Sequence, residues 1–522
     1  MEHLTFTSLQ TASRASIALT LGLTLSACSS DAEPQRRPEE TEIPARFRAF
    51  AERFERERRA LGIPGAAVAI LEHGQLSFAR GFGTKGINST EPVSAKTIFR
   101  TGSMGKVITA IGAMSAVEDG LLDLDAPIRA AIPDLSLASP EAESLTLRVL
   151  MSQQSGLRDY IQLPGPAEDS GLAEFAEGAE LAENVDFINP PGLFWNYSNP
   201  NFYIAGRALE RSTGVSYREA IRERVFAPLH MDRSFFLASD VLADGDYSHG
   251  YGINSVSSEV TDYEDISPDS YENTWARPAG LGFSNVLDWA RLMQFLMRGD
   301  PNVLSELSRH EIVSSQISTH TIYSDVHATA LGLADDYGLG VGVSQGFFMD
   351  HQSEPNTYYP VPFIGHGGDI SGFASTFAVF PSTGFGIVVL SNRDIERPVE
   401  SIRLALESFG GLPPPSAPPA GREVDPSRLE QYAGTYRDAQ GSSVMLRAER
   451  GALLVSGPLL DSTQLPYEPK LQPTSLDNFY LWVTVQGQRL PLEVTFFPDE
   501  AGQYTWFRSR LAVAQRADSE RE

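Results

Sequence analysis

A proline-rich stretch divides this 522-residue chain into two parts with different residue patterns. The stretch, Gly410–Pro419, has the composition of a linker between folded bodies. Helix and strand patterns alternate in residues 44–410, whereas residues 425–522 hold short β-rich segments separated by turn residues. We therefore predict two domains of different fold class, with residues 411–424 as the linker between them.

The larger part has the pattern of an α/β (α+β) sandwich built on one antiparallel sheet. Apolar residues recur at helical spacing from Phe47 to Leu61. Two short apolar runs, Ala66–Leu71 and Leu76–Phe82, flank the turn Glu72-His73-Gly74-Gln75 and predict a hairpin. An apolar helix is predicted from near Ser103 to about Val117. Paired strands and a last helix are predicted at Thr376–Phe380, Gly386–Leu390 and Ser401–Phe409.

The part after the linker predicts a small all-β barrel or sandwich of about 90 residues. Its β-rich segments are Tyr432–Tyr436, Ser443–Ala448, Leu453–Ser456, Phe479–Val485, Leu492–Phe497 and Tyr504–Phe507.

Composition excludes several classes of protein. The formal net charge of −26 argues against a nucleic-acid partner, because phosphate binding needs a basic surface. The chain has one cysteine, Cys28, so an intramolecular disulfide and a cysteine-based zinc or iron–sulfur site are excluded. His320, Asp325 and His327 lie close in sequence but lack the spacing of a metal site, so we expect surface histidines and no metal or cofactor.

The N-terminus has the pattern of an export signal. The apolar run Ala15–Leu25 is too short to span a bilayer, and small residues follow it. Leu25-Ser26-Ala27-Cys28 resembles the lipobox of bacterial lipoproteins, which implies a signal peptide at residues 1–27, lipidation of Cys28 and a flexible tether at residues 28–43. The alternative is a secretory signal with an unmodified Cys28. Either places the protein outside the cytoplasm, on the periplasmic or cell-surface side, with a lipid anchor as the only membrane attachment.

Ser103-Met104-Gly105-Lys106 can carry nucleophilic chemistry. Residues three apart share a helix face, so the Lys106 amine can reach the Ser103 hydroxyl. A lysine in an apolar helix can lose its proton and serve as the base that a serine nucleophile needs. The alternative is an N-cap serine followed by a lysine that extends to solvent.

Two further motifs follow the Ser103–Lys106 segment along the chain. They are Phe194-Trp195-Asn196-Tyr197-Ser198-Asn199 and Gly365-His366-Gly367-Gly368-Asp369. Together they resemble the serine β-lactamase and penicillin-binding-protein superfamily over about residues 44–410. The resemblance is to the class C β-lactamase-related branch, which includes esterases, D-amino-acid peptidases and D-Ala-D-Ala carboxypeptidases. It implies a central antiparallel sheet with helices on both faces. The segment after the linker resembles the lipocalin-like tail of some members.

The resemblance also implies roles for the motif residues. Ser103 corresponds to the acylated nucleophile, Lys106 to its proton acceptor and Tyr197 to a general base or proton shuttle. Asn199 would orient the lysine and the substrate. The remaining implied positions are the oxyanion hole, formed by the backbone N–H groups of Ser103 and Asp369, and the substrate-binding residues His366, Gly367 and Gly368.

One motif departs from the β-lactamase pattern. His366 stands where β-lactamases have lysine, and Gly367 replaces threonine or serine. Several esterases and peptidases of the branch have histidine at this position. A neutral imidazole offers little charge to a substrate carboxylate, so we expect poor turnover of β-lactams, improving as pH falls and His366 gains a proton.

These patterns predict an exported serine hydrolase that forms an acyl-enzyme with a small-molecule or peptide substrate. That substrate would be a short ester, a D-amino-acid peptide or a cell-wall-derived peptide. One alternative is a catalytically idle cell-wall-binding or scaffolding lipoprotein that keeps the fold. Another is a peptide-binding role confined to the C-terminal β domain.

Overall fold

A computed structural model describes residues 42–160, 171–253, 263–270, 272–319, 335–351, 354–416, 425–475, 477–485, 488–509 and 512–517. The chain divides into two compact units, Met1–Ala45 and Arg46–Glu522, and the fold described below is that of the second. The predicted signal peptide, residues 1–27, and Cys28 lie outside the described residues, as do His320, Asp325 and His327.

The larger part of the second unit is built on an eight-stranded antiparallel sheet, as the sequence predicts. From one edge to the other, its strands are Gln75–Gly83, Gly65–Glu72, Phe385–Ser391, Phe373–Phe380, Phe363–Ile370, Gly342–Ser344, Asp336–Tyr337 and Ile317–Ser318. Two-stranded pairs accompany it: Phe99–Arg100 with Phe283–Ser284, Gly250–Ile253 with Tyr263–Ile266, and Phe347–His351 with Glu354–Tyr359.

Helices cover both faces of this sheet, which explains its apolar strands. Phe78 packs against Phe47 beside the helix Arg48–Ala60, with ring centroids 4.7 Å apart. Phe377 packs against Trp289 of another helix, with centroids 5.2 Å apart. Phe78 and Phe377 belong to adjacent cross-strand rows and so point to opposite faces. Strands that are buried on both faces have continuous runs of apolar residues in their sequence.

The α-helices of the larger part are, in chain order, Arg48–Ala60, Gly105–Glu118, Leu147–Met151, Gly171–Glu177, Ala179–Asn184, Pro200–Thr213, Tyr217–Ile221, Ala238–Asp244, Val286–Arg298, Glu306–Val313 and Val399–Phe409. A π-helix covers Arg222–Phe226, and short 3₁₀ helices cover Ala45–Phe47, Gly102–Met104, Ile128–Ala130, Pro140–Ser144, Pro268–Ser270 and Arg277–Ala279.

The helix Gly105–Glu118 runs through the interior and confirms the apolar helix predicted near Ser103. It is buried on nearly every side and packs against the helix Pro200–Thr213. A helix that is apolar all round belongs in the core of a large domain. A charged side chain within it therefore needs a complete set of partners.

The smaller part is a closed eight-stranded barrel, which confirms an all-β domain and selects the barrel over the sandwich. Its strands are Gly434–Arg437, Ser443–Glu449, Ala452–Ser456, Tyr467–Ser475, Asn478–Val485, Gln488–Pro498, Tyr504–Ser509 and Val513–Arg516, accompanied by the helices Pro426–Tyr432 and Pro458–Asp461. The sequence pattern missed Tyr467–Ser475 because Pro469 and Pro473 argue against a strand. The structure accommodates them through two irregularities in the register with the next strand.

Side chains fill the interior of the barrel. Tyr432 lies 4.9 Å from Phe496 and 5.2 Å from Phe479, measured between ring centroids, and Tyr504 is 4.4 Å from Tyr432. An interior packed with aromatic rings argues against a ligand or peptide held inside the barrel.

Within the described part of the chain, no helix combines the length and the apolar character needed to cross a membrane.

Candidate active site

Ser103 lies in a tight turn at the start of the buried helix. The 3₁₀ turn Gly102–Met104 leads directly into Gly105–Glu118. Gly102 has φ +53°, and a β-carbon there would lie 2.8 Å from the backbone nitrogen of Asp369. Both the left-handed conformation and the close approach require glycine. The turn therefore holds Ser103 next to the strand Phe363–Ile370.

Lys106 is fully buried one turn after Ser103. Its Nζ donates to Ser103 Oγ at 3.2 Å, to Asn199 Oδ1 at 2.7 Å and to the carbonyl oxygen of Ala279 at 2.8 Å. Three acceptors match the three hydrogens of an ammonium group, so the buried charge is fully hydrogen-bonded. The alternative of a lysine extending to solvent is wrong.

Asn199 is oriented by a residue that the sequence motifs did not identify. Oδ1 of Asp159 accepts hydrogen bonds from the backbone N–H and from the side-chain Nδ2 of Asn199, both at 2.9 Å. A carboxylate only accepts hydrogen bonds, so the amide nitrogen must face Asp159 and Oδ1 must face Lys106. The network Asp159–Asn199–Lys106–Ser103 therefore has one consistent set of donors and acceptors.

Tyr197 lies on another side of the Lys106 ammonium. Lys106 Nζ is 4.7 Å from the centroid of the Tyr197 ring, within the range of a cation–π contact. The ring also lies 6.1 Å from Trp195 and 6.4 Å from His366, between centroids. These neighbours hold the Tyr197 ring beside Lys106.

The strand Phe363–Ile370 carries the third motif, and two of its glycines, Gly367 and Gly368, have different surroundings. A β-carbon on Gly368 would lie 2.2 Å from the carbonyl oxygen of Thr101 and 3.1 Å from the backbone nitrogen of Ser103. Gly368 is therefore required by the close approach of two backbones. A β-carbon on Gly367 would meet nothing closer than 3.8 Å, so a larger residue fits there.

His366 is buried, and both of its ring nitrogens have hydrogen-bond partners. Nδ1 lies against the carbonyl oxygen of Gly367, and Nε2 is 3.0 Å from the hydroxyl of Tyr337. A carbonyl only accepts, so a neutral ring carries its hydrogen on Nδ1 and accepts from Tyr337 at Nε2. Burial, and then the charge of Lys106, lower the pKa of His366 to about 4.

This pKa corrects one expectation from the sequence. Protonation of His366 begins only near pH 5, so acidification from pH 7 to pH 5 adds little positive charge at this position.

A cleft of about 240 Å³ opens beside the nucleophile. Its lining residues include Ser103, Asn199, Tyr203, Leu281, Asp369 and Ser371. Among the described residues, no group of three or more His, Cys, Asp or Glu side chains is arranged to hold a metal ion. Ser103 and Ser371 bring hydroxyl groups to this lining, Asn199 a carboxamide and Asp369 a carboxylate.

The barrel contacts the segment that carries Tyr197 and Asn199. Phe194 stacks on Phe497 with ring centroids 4.5 Å apart, and the buried Arg508 donates to the carbonyl oxygen of Trp195 at 2.8 Å. The barrel is thus packed against the edge of the site.

The structure brings the predicted site residues of the larger domain into one place: Ser103, Lys106, Tyr197, Asn199, His366, Gly367, Gly368 and Asp369. Their individual roles stay predictions. Sequence reasoning missed Asp159, Tyr337 and Arg397, each a single residue without a local spacing pattern. Arg397 forms an ion pair with Asp369, with Nη2 2.7 Å from Oδ1.

The fold and this arrangement define a serine hydrolase of the β-lactamase and transpeptidase type. Residues 50–408, more than half of the chain, match the family described as Beta-lactamase. The chain belongs to the beta-lactamase family.

Known relatives include several hydrolases. The chain is 28% identical to penicillin-binding protein 4 of Amycolatopsis lactamdurans over 401 residues, which cover 75% of this chain and 98% of that protein. It is 24% identical to an unguisins hydrolase of Aspergillus campestris over 495 residues, covering 86% and 87% of the two chains. It is 25% identical to a D-aminopeptidase of Cereibacter sphaeroides over 485 residues, covering 86% and 84%.

A solved structure extends the similarity of fold to most of the chain. The octameric penicillin-binding protein homologue from Pyrococcus abyssi superposes with a TM-score of 0.55 at 20% identity, covering 90% of this chain and 99% of that one. This similarity concerns the fold alone.

Proposed function

We propose that this chain is an exported serine hydrolase that forms an acyl-enzyme with a short ester or amide, including D-amino-acid peptides or cell-wall-derived peptides, and that turns over β-lactams poorly. The observation that carries the proposal is the 3.2 Å separation of Lys106 Nζ and Ser103 Oγ at the start of a buried helix. This distance allows direct proton transfer between a nucleophile and its base.

In the acylation step, Ser103 Oγ attacks the substrate carbonyl and its proton passes to the neutral form of Lys106. The carbonyl oxygen becomes an oxyanion, which the backbone N–H groups of Ser103 and Asp369 stabilise by hydrogen bonds. The intermediate then expels the alcohol or amine, which takes up a proton as it leaves. Asn199 holds Lys106 Nζ through a 2.7 Å hydrogen bond during this exchange.

In the deacylation step, a water molecule attacks the acyl carbonyl and its proton is removed by a general base. Tyr197 is our candidate for that base or for a proton shuttle, because the centroid of its ring lies 4.7 Å from Lys106 Nζ. Collapse of the second tetrahedral intermediate returns the proton to Ser103 Oγ and releases the acid.

The substrate preference follows from what the third motif lacks. Because the pKa of His366 is lowered to about 4, the imidazole is neutral at pH 7. It offers no cation to the carboxylate of a β-lactam, and Gly367 offers no hydroxyl. Loss of one charge-assisted hydrogen bond costs about 1.5–3 kcal/mol, or roughly 10–150-fold in rate. The similarity to a protein named D-aminopeptidase supports an amide substrate for this chain.

We also propose that the protein is exported and held at a bacterial membrane by lipid on Cys28. The support is the apolar run Ala15–Leu25 followed by the Leu25-Ser26-Ala27-Cys28 sequence.

A substrate panel on one preparation tests the proposed activity: p-nitrophenyl esters, D-aminoacyl amides, D-Ala-D-Ala peptides and nitrocefin. We expect at least one ester or amide to be turned over faster than nitrocefin at pH 7. Ser103→Ala should abolish turnover and labelling by a fluorophosphonate probe, whereas the matched control Ser77→Ala should keep both. Absence of labelling and of turnover in the wild-type protein would favour the idle scaffolding lipoprotein.

A further inference from the structure

Arg397 is a buried arginine just before the helix Val399–Phe409, and no sequence motif includes it. Its guanidinium makes two contacts with the strand that carries the third motif and one with the neighbouring strand Phe373–Phe380. Nη2 donates to the carbonyl oxygen of Gly368 at 2.9 Å, Nε donates to the carbonyl oxygen of Ser375 at 2.9 Å, and Nη2 pairs with Asp369 Oδ1 at 2.7 Å. A buried cation aimed at the backbone of an active-site strand needs a functional account.

The first of these contacts falls on the peptide unit that serves the oxyanion hole. The carbonyl of Gly368 and the N–H of Asp369 belong to one planar trans peptide, so they point in opposite directions. Holding the carbonyl towards Arg397 therefore turns the N–H away from Arg397. The nucleophile turn lies directly against this peptide unit, because a β-carbon on Gly102 would be 2.8 Å from both the Asp369 nitrogen and the Gly368 carbonyl carbon.

The hydroxyl of Ser375 lies between two carbonyl oxygens, 2.7 Å from that of Thr101 and 3.3 Å from that of Gly368. It has one hydrogen, which the nearer Thr101 carbonyl accepts, so the strong donor to the Gly368 carbonyl is the guanidinium of Arg397. A charged donor on a carbonyl polarises the amide and strengthens its N–H as a donor to a developing oxyanion.

The ion pair has a second electrostatic effect. The carboxylate of Asp369 is about half exposed and belongs to the residue whose N–H faces the oxyanion. An unpaired carboxylate there would disfavour negative charge on the substrate. The guanidinium of Arg397 compensates the charge of Asp369 through their ion pair.

We propose that Arg397 is a positioning residue for the oxyanion hole, which fixes the Gly368–Asp369 peptide with its N–H towards the reacting carbonyl. This inference rests on the proposed acyl-enzyme mechanism and adds a residue to it. Because the oxyanion exists only during bond making and breaking, loss of Arg397 lowers kcat and leaves KM nearly unchanged.

The test compares Arg397→Gln with wild type on the best ester of the substrate panel. We expect kcat to fall at least tenfold with KM within threefold. The exposed Arg59→Gln, on the helix Arg48–Ala60, is the matched control and should keep the kinetics of wild type. The double variant Arg397→Gln/Asp369→Asn should show, relative to Asp369→Asn, the same loss that Arg397→Gln shows relative to wild type. Full recovery in the double variant would mean that Arg397 only cancels the carboxylate, and would overturn the positioning role.

Two other results would overturn it: Arg397→Gln with kcat within threefold of wild type, or a loss confined to KM, which would make Arg397 a substrate-binding residue. If Arg397→Gln does not fold, Arg397→Lys decides. It keeps the charge but places all of its donors on one nitrogen, so it does not reproduce the separate Nε and Nη2 hydrogen bonds of the guanidinium. A reduced kcat is therefore expected, and a wild-type kcat refutes the proposal. A wild-type protein without Ser103 labelling would instead refute the proposed function itself.

Discussion

Asp159 accepts both amide hydrogen bonds of Asn199, from the backbone and from the side chain, through a single carboxylate oxygen. This contact determines which end of the Asn199 carboxamide meets Lys106. The helix Pro200–Thr213 begins at this asparagine, so the same contact also fixes the start of the helix.

Asp159→Ala removes the acceptor and leaves two donors of Asn199 unpaired. A lost partner at a buried polar group costs about 1–3 kcal/mol, so we expect kcat for the best ester to fall about 5–100-fold. Asp159→Asn keeps an acceptor and should stay within about threefold of wild type. Steady-state kinetics with both variants, at equal folded content by circular dichroism, checks this prediction. Equal kinetics for Asp159→Ala and wild type would show that Asn199 needs no such support.

His366→Lys with Gly367→Thr should improve β-lactam turnover. The double variant supplies the cation and the hydroxyl that a carboxylate needs, and position 367 has room for a larger side chain. We expect kcat/KM for nitrocefin to rise about 10–150-fold relative to that for a short ester. The neutral control His366→Asn with Gly367→Thr should show no such rise.

The same account predicts the pH dependence of the wild-type protein. The ratio of nitrocefin to ester turnover should stay flat from pH 8 to pH 5, because the pKa of His366 is about 4. A ratio that climbs steeply between pH 7 and pH 6 would contradict a buried, neutral His366.

Glu493 on the barrel should make stability depend on pH. Burial raises the pKa of this carboxyl to about 7, although the positive charge of Arg508 acts to lower it. The unfolded chain loses the proton near the ordinary value of 4.5, whereas the folded protein keeps it until about pH 7. The folded state therefore binds more protons between these values, and this contribution to stability declines as pH rises from about 4.5 to 7.

Glu493→Gln should remove that decline. Between pH 5 and pH 8, the unfolding free energy of wild type should drop relative to the variant by up to about 3 kcal/mol. Urea unfolding at both pH values measures it, with the exposed Glu500→Gln as the control. A pH-independent difference between Glu493→Gln and wild type would contradict the shifted pKa.

Cys28→Ser tests the proposed lipid anchor. Wild-type protein should fractionate with membranes and enter the detergent phase, because two or three acyl chains hold a protein firmly at a bilayer. The variant should remain uncleaved or become soluble. Wild-type protein recovered soluble, with an unmodified Cys28, would refute the lipidation.

Much of this fold could be predicted because its signals are local. The hairpin at Gly65–Gly83 has a polar turn between two apolar runs, and the Ser103–Lys106 pair is one helical turn. Asp159, by contrast, meets Asn199 across 40 residues, and Arg397 meets Gly368 across 29. Such contacts form only when segments far apart in the chain pack together. No local pattern of residues in a single sequence predicts them.

The strands of the barrel show a second limit of sequence patterns. Six segments have alternating or β-branched residues and were predicted, with ends that shift by a few residues. Tyr467–Ser475 contains two prolines, and Val513–Arg516 is only four residues long. Both are strands because closing the barrel pairs them with neighbours, which local propensity does not report.

The central claim is that Lys106 activates Ser103 for acylation, and the rate of Ser103 acylation in Lys106→Arg tests it most directly. Mass spectrometry of the intact protein after fluorophosphonate treatment measures that rate, with the exposed Lys96→Arg as the matched control. Arginine keeps the charge but holds its proton, so we expect labelling of Lys106→Arg to slow by about 10²–10⁴-fold while Lys96→Arg labels like wild type. Labelling of Lys106→Arg within threefold of wild type would remove Lys106 from the mechanism.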